Sequence, residues 1–371
     1  MAVALELLVF LAGTVVSLGT SYLLVTRLER IGERLGLSEA LLGMVAALAA
    51  DAPEITSAVT ALATHQQKVG AGVVIGSNVF NLAALLGLGA VVAGSIALHR
   101  KVVLLGGVTG TWIAVVCLIT VLGVVPPLAG LLLVLAVLGP YVFVLGAGRA
   151  RLARIPLVRR WAGWLAVAIS EEEQELIEVI HPPHGRRRDV LTALAALAVV
   201  IMASVAMERA ATLLGTRFAV PEIVTGGIVL AAVTSLPNAV SAVYLAARGR
   251  GAAMLSTTLN SNALNVSAGL LLPAAITGLG GASAQSNLIA AWYLVLTVAA
   301  LAFAYRDSGV RRVTGALIIG AYLVFLGSLL ATAHSGTPGL WLTVGPLAAV
   351  AAGCTAGLAR RPRRTGGRGS P

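Results

Sequence analysis

Long apolar runs separated by short polar breaks dominate this chain. Each run is long enough to cross a bilayer, because a hydrocarbon core roughly 30 Å thick takes about 20 helical residues. The runs predict spans near residues 3–25, 38–64, 69–96, 102–122 and 125–147, then, after a polar stretch, near 190–208, 220–247, 253–278, 286–305, 312–332 and 339–359. The expected fold class is an all-α polytopic membrane protein with two five-helix repeats and one extra C-terminal helix. The expected division is 1–148 for the first repeat, 149–189 for a linker, 190–332 for the second repeat and 333–371 for the extra helix with a basic tail.

The polar positions inside the apolar runs recur. A-L-A-A-D-A-P-E-I-T-S-A-V occupies residues 47–59 and G-S-N-V-F-N occupies 76–81, while A-A-V-T-S-L-P-N-A-V-S-A-V occupies 231–243 and N-S-N-A-L-N occupies 260–265. One offset of 184 residues aligns Gly43, Ala47, Pro53, Ser57, Ser77, Asn78 and Asn81 with Gly227, Ala231, Pro237, Ser241, Ser261, Asn262 and Asn265. Two separated motifs matching without a gap indicate a duplicated unit.

Composition agrees with the pattern. The chain is 58% hydrophobic and 11% charged, with a mean hydropathy of +0.94, too apolar for a soluble protein of this length. Cys117 and Cys354 lie in apolar runs without metal-ligand spacing, so neither a disulfide framework nor zinc is expected. The first residues lack a basic region and a cleavage pattern, which favours a retained span over a signal peptide. The net charge of +11 comes from arginines scattered among loops, which argues for membrane orientation and against nucleic acid. With the N-terminus outside and the C-terminus in the cytoplasm, every Lys and Arg except Lys68, Arg209 and Arg217 falls on the cytoplasmic side. Each repeat has an odd number of spans, so the second should be inserted upside down relative to the first.

Proline inside a helix frees the carbonyl four residues back, here that of Ala49 for Pro53 and that of Val233 for Pro237. Such a carbonyl must face protein, water or an ion. Asp51 and Glu54, three apart, share a helix face, as do Ser77 and Asn81, four apart. Carboxylates, amides, hydroxyls and carbonyls near a midplane suggest oxygen coordination of a hard cation. Asn78 and Asn262 read equally as packing amides or direct participants, and Glu6 as an access-path or headgroup residue. Trp112, Trp161, Trp164, Trp292 and Trp341 read as interfacial or packing aromatics. The 149–189 stretch, with E-E-E-Q-E and H-P-P-H, reads as a solvated linker.

At Pro53-Glu54, Gly76 to Asn81, Thr234 to Pro237 and Asn260 to Asn262, the chain resembles the sodium/calcium exchanger family of the calcium:cation antiporter superfamily. The resemblance implies two inverted five-helix repeats whose motifs, typically G-T-S-L-P-E with G-S-N-x-x-N, enclose cation sites. It matches Ala47, Glu54, Ser77 and Asn81 to first-repeat ligand positions, and Ala231, Thr234, Ser235, Ser261 and Asn265 to second-repeat ones. Two positions depart: Ala50-Asp51 stands where the family has Thr-Ser, and Asn238 stands where it has a second glutamate. The charge therefore sits on one repeat in sequence, and two acids so close repel when both are ionised, which suggests proton coupling.

The expected function is a secondary antiporter of the cytoplasmic membrane exchanging Ca2+ for Na+ or H+, with Asp51 and Asn238 added to the matched ligands. The alternatives are a Na+/H+ or K+/H+ antiporter on the same fold, and a channel or non-transporting scaffold. No enzyme motif and no cofactor are expected; the partners are membrane lipid and the transported cations.

Overall fold

The computed structural model describes residues 2–146, isolated positions between 154 and 169, and 187–335. The expected span at 339–359, the basic tail and most of the 149–189 connection lie outside the described residues.

The first half runs α1 (Ala2–Arg34), α2 (Glu39–Ala50), α3 (Ala52–Ala63) and α4 (Gln67–Asn81), which continues through a π-helical turn (Leu82–Leu88) into α5 (Gly89–Ala93). Strand β1 (Ser95–Ala97), α6 (Arg100–Val121) and α7 (Pro127–Gly146) complete it. The second half runs α8 (Arg187–Arg217), then α9 (Glu222–Val224), a π turn (Thr225–Leu230) and α10 (Ala231–Thr234), which together make one span half. There follow α11 (Leu236–Ala247), α12 (Gly251–Leu264) with a π turn (Asn265–Leu271) and α13 (Leu272–Thr277), then α14 (Ala284–Asp307), β2 (Gly309–Arg311) and α15 (Arg312–Ser335). Nearly every element of the first half has its counterpart 184 residues on, so the duplication extends well beyond the two motifs. The outer helices α1 and α8 are longer than the apolar runs predicted, and charged pairs join them near both ends, Arg27 with Asp189 and Arg217 with Glu6.

Among the described residues, seven helices are long and apolar enough to cross a membrane, and two bent pairs raise the count to nine. The continuous helix from Gly251 to Thr277, rich in Ser and Asn, occupies the place of the remaining expected span. Proline causes both bends. Pro53 and Pro237 sit in the first turns of α3 and α11, where a missing N–H costs nothing, and the preceding helices stop there. The axes turn by 50° between α2 and α3 and by 43° at the second break.

The repeats pack through glycine. A Cβ on Gly76 would lie 2.7 Å from Gly227 Cα and collide with the Gly227 carbonyl oxygen, so only glycine lets α4 meet the Thr225–Leu230 turn backbone to backbone. This places α4 and α5 at the centre, 94% buried over their apolar window, whereas α1 is only 11% buried and faces outward.

The halves are antiparallel to each other. A Cβ on Gly251, at the start of α12, would strike the Ala97 carbonyl oxygen just past α5, and the Cβ of Gln67, at the start of α4, lies 3.5 Å from a Cβ built on Gly280 past α13. Equivalent helices thus begin at opposite ends of the bundle. The loops agree: Ser95 pairs with Arg311 across the β1–β2 ladder, Arg27 meets Asp189 at 2.7 Å and Arg217 meets Glu6 at 2.7 Å. These contacts put the 95–101 and 306–312 loops together at one end. Glu6 is thereby tied to an arginine.

Candidate functional site

The two helix breaks meet in the interior. Asp51, Glu54, Ser77, Asn78, Asn81, Ser235, Ser261 and Asn265 are each 0% exposed, and Asn238 and Asn262 are 2% exposed. Glu54, in the first turn of α3, accepts hydrogen bonds from Ser235 Oγ and Asn265 Nδ2, both from the second repeat. Asn238, in the first turn of α11, donates from Nδ2 to Asp51 Oδ1 at 3.0 Å and to Asn81 Oδ1 at 3.1 Å, both from the first repeat. Ser235 and Asn265 are the repeat counterparts of Asp51 and Asn81. The two sets of contacts are therefore one arrangement drawn twice about a pseudo-two-fold axis.

Asn78 and Asn262 lie across that axis. Asn78 Nδ2 donates to the Asn262 carbonyl at 3.2 Å and Asn262 Nδ2 donates to the Asn78 carbonyl at 3.2 Å, the reciprocity that a two-fold contact requires. Their Oδ1 atoms accept from the ligand candidates, Asn78 from Asn265 and Asn262 from Asn81, each at 3.2 Å. The Tyr293 hydroxyl lies beside both asparagines. These amides orient the residues that surround the carboxylates.

Two expectations change. Asp51 and Glu54 do not share the face of a continuous helix: Asp51 occupies the break, and the hydrogen bonds of both carboxylates come from the second repeat. The charge that sequence assigns to one repeat is consequently divided in space, one carboxylate in each half-site. The Ala49 carbonyl faces protein, accepting from Ser21 Oγ of α1 at 2.8 Å. Nothing in the motif pointed to Ser21, because its partner is a backbone atom 28 residues away.

The Ala47 and Ala231 carbonyls end the helices before each break, accepting from Asp51 N at 2.9 Å and Ser235 N at 3.1 Å. Thr234 stands apart, since its hydroxyl turns back to the Leu230 carbonyl at 2.9 Å. Ser57 is fully buried with an unpartnered hydroxyl; its recurrence at Ser241 was the signal for it. Trp292 is fully buried and therefore a packing aromatic.

The chemistry of the cluster is oxygen-rich and anionic. Ser77 lies beside Glu54 and Ser261 beside Asp51, though neither hydroxyl is aligned as a hydrogen bond. Asp51 Oδ2, Ser77 Oγ, Ser261 Oγ and Asn265 Oδ1 are buried without partners, so both repeats supply free oxygens. Burying even one ionised carboxylate costs several kcal/mol after relaxation, on the order of 20 kcal/mol in the idealised limit, unless an opposite charge joins it. No cationic side chain pairs with Asp51 or Glu54 among the described residues, so a cation is the counter-charge this arrangement can accept. Among the described residues no group of three or more His, Cys, Asp or Glu is placed to hold a metal ion by itself. A crevice of about 480 Å3 between α1, α8 and the first helix break, lined by residues such as Leu24, Leu28, Leu48 and Leu197, is apolar and lacks this chemistry.

A family model described as sodium/calcium exchanger protein matches residues 5–170 and 189–331. The chain belongs to that family. It is a multi-pass membrane protein, and the family is one of exchangers. Among similar proteins, the sodium/potassium/calcium exchanger 2 of Gallus gallus is 26% identical to this family member over 155 residues, 40% of this chain and 24% of the relative. This match therefore spans about a quarter of the curated relative's length. The crystal structure of the H+/Ca2+ exchanger CAX superposes with a TM-score of 0.69 at 16% identity, covering 95% of this chain and 87% of that one. The sodium-calcium exchanger NCX_Mj, soaked with Na+ and Sr2+, superposes with a TM-score of 0.57 at 20% identity, covering 88% and 99%. Both likenesses show the exchanger fold with its inverted repeats.

Proposed function

We propose that this chain is a secondary active antiporter exchanging Ca2+ for Na+ or H+ across the cytoplasmic membrane, with its N-terminus outside. One observation carries the reading: two carboxylates, three amides and serine hydroxyls from the two proline-broken helices and from α4 and α12 with its π turn, which pack against them, converge in a buried cluster. Calcium takes six to eight oxygens, and Asp51, Glu54, Ser77, Asn81, Asn238, Ser261 and Asn265 offer them, with Ser235 and the Ala47 and Ala231 carbonyls adjoining. Thr234 supports the bend from the side. A continuous pore would leave this cluster exposed, and a scaffold has no use for buried charge. The exchangers named above act on Ca2+ with H+ or Na+, which supports the substrate class.

A monovalent exchange reading has its own support, because each acid is faced by a neutral amide, Asp51 by Asn238 and Glu54 by Asn265, and not by a further carboxylate. One experiment separates the two. The purified protein in sealed vesicles is tested for uptake of labelled Ca2+, Na+ and K+ under separate Na+, H+ and K+ gradients. Ca2+ uptake driven by a Na+ or H+ gradient supports the first reading. Na+ or K+ uptake driven by H+, without Ca2+ flux, supports the second, and flux with no counter-ion dependence contradicts both.

A further inference from the structure

We propose that the apolar crevice between α1, α8 and the first helix break holds one acyl chain of an anionic phospholipid, with the lipid phosphate at Arg27 and Arg30. The crevice measures about 480 Å3, within the range of pockets that hold an organic molecule. Its wall on α8 runs from Val190 to Ile201, about 17 Å of helix at 1.5 Å per residue. That is close to one leaflet of a hydrocarbon core roughly 30 Å thick. Leu194 and Ile201 in this wall are 59% and 42% exposed, so the crevice opens outward. Ala49 and Ala52 close its inner side, one on each flank of Asp51 at the break.

Charge selects the occupant. Arg27 and Arg30 share the carboxylate of Asp189, at 2.7 and 3.7 Å, and Asp189 adjoins Val190 of the wall. Arg34 and Arg188 are exposed at the same end. Glu29 and Glu33 follow Leu24 by five and nine residues, which turns them roughly 140° and 180° away from it around α1. The crevice side therefore carries surplus guanidinium, and basic pockets between membrane helices hold anionic headgroups. The two-fold relation shows that the fold does not require such a crevice. At the other end of the same helix pair, Glu208, Thr212, Glu6 and Ser17 stand where this end has Leu24, Leu28, Val190 and Ile201. There Thr212 bonds to Glu208, Ser17 to Ser204 and Arg217 to Glu6. An apolar slot and surplus guanidinium thus occur together at the Arg27 end, and they match the chain and the phosphate of one lipid.

The test uses the full chain in detergent micelles with equal amounts of phosphatidylglycerol and phosphatidylcholine carrying the same acyl chains, read by native mass spectrometry. One bound phospholipid is expected, with phosphatidylglycerol preferred by about fivefold or more, the contribution of one arginine near a headgroup. Leu194→Trp fills the crevice from its open side and should lose bound lipid of both kinds. Arg30→Gln keeps the Arg27–Asp189 pair and should keep the lipid while its preference falls by about fivefold. Val240→Trp, at a 69% exposed position of α11, controls for lipid held loosely around the bundle and should bind as the wild type does. Circular dichroism checks that each variant is helical. Equal binding of the two lipids by the wild type, or no bound phospholipid, overturns the proposal. So does a helical Leu194→Trp protein that binds as the wild type does, an Arg30→Gln protein with its preference intact, or a Val240→Trp protein that loses the lipid. Binding is read without transport, so each of these results leaves the antiporter reading standing.

Discussion

The two broken helices are built from one sequence pattern yet covered differently. Along α3, Pro53, Glu54, Ser57, Ala58, Ala61 and Leu62 are buried, and α8 packs along its length. Along α11, Leu236, Val240, Val243 and Tyr244 are 44%, 69%, 39% and 46% exposed, and α1 only touches it. The Ala49 carbonyl freed by Pro53 is capped by Ser21 of α1, while the repeat counterpart of Ser21 is Val205, which has no hydroxyl. The two-fold symmetry therefore holds at the cluster and fails at the α1/α8 pair. A symmetric site under an asymmetric cover is the arrangement alternating access needs, since moving the cover toward the other arm exposes the same site to the other side.

Breaking the symmetric centre should have the largest effect. Glu54→Gln is expected to lower gradient-driven cation flux on the order of 100-fold or more, the equivalent of the roughly 3 kcal/mol lost with a buried charge partner. Circular dichroism should show the helices intact. Near-normal flux in that variant would show that the half-site carboxylates are not the ion ligands.

The glycine contact gives a sharper comparison, because its two members differ. Gly76→Ala drives a Cβ into Gly227 and should cost about 1–3 kcal/mol, seen as a lower melting temperature in detergent. A Cβ on Gly227 comes no closer than 3.5 Å, to Leu329 Cδ2, so Gly227→Ala should change stability by no more than about 1 kcal/mol. Equal effects would contradict the backbone approach described for α4.

Competition by protons follows from the same carboxylates. A proton on Asp51 or Glu54 removes the charge that a cation needs, so Ca2+ affinity should fall as pH falls, by up to about tenfold per pH unit for each proton displaced. Ca2+ binding measured by titration calorimetry across the acidic range checks the sign. Affinity independent of pH would separate these acids from the ion. The smallest effect is expected on the covered arm alone: Ser21→Ala removes one hydroxyl bond to the Ala49 carbonyl, which still faces the Asp51 N–H, and should cost about 0.5–1 kcal/mol, read as a small fall in melting temperature, whereas Val205→Ala should leave the α11 break unchanged.

Much of this was legible in the residue pattern. Apolar runs of about 20 residues located the spans, proline within two of them located the breaks, and the fixed offset paired Asn78 with Asn262 before any contact was visible. The spatial placement of Asp51 was not legible. Periodicity along one chain relates Asp51 to Glu54, but the partner that defines its half-site lies 187 residues away and is brought there by the two-fold axis. Ser21 was hidden for a similar reason, a single hydroxyl in an apolar run having no pattern to mark it. Thr234 matched a motif position, and a local bond to Leu230 turned its hydroxyl elsewhere.

The division of charge between half-sites is tested most directly by moving the carboxylate back across its contact. Initial Ca2+ uptake under the driving gradient is measured for the wild type, Asp51→Ser, and Asp51→Ser combined with Asn238→Glu. The single variant should lose on the order of 100-fold, as expected for a lost buried charge partner, and the double variant should recover to within about tenfold of the wild type, since coupled neighbours do not add. A single variant with normal uptake, or a double variant as inactive as the single one, would contradict the assignment of positions 51 and 238 to one half-site.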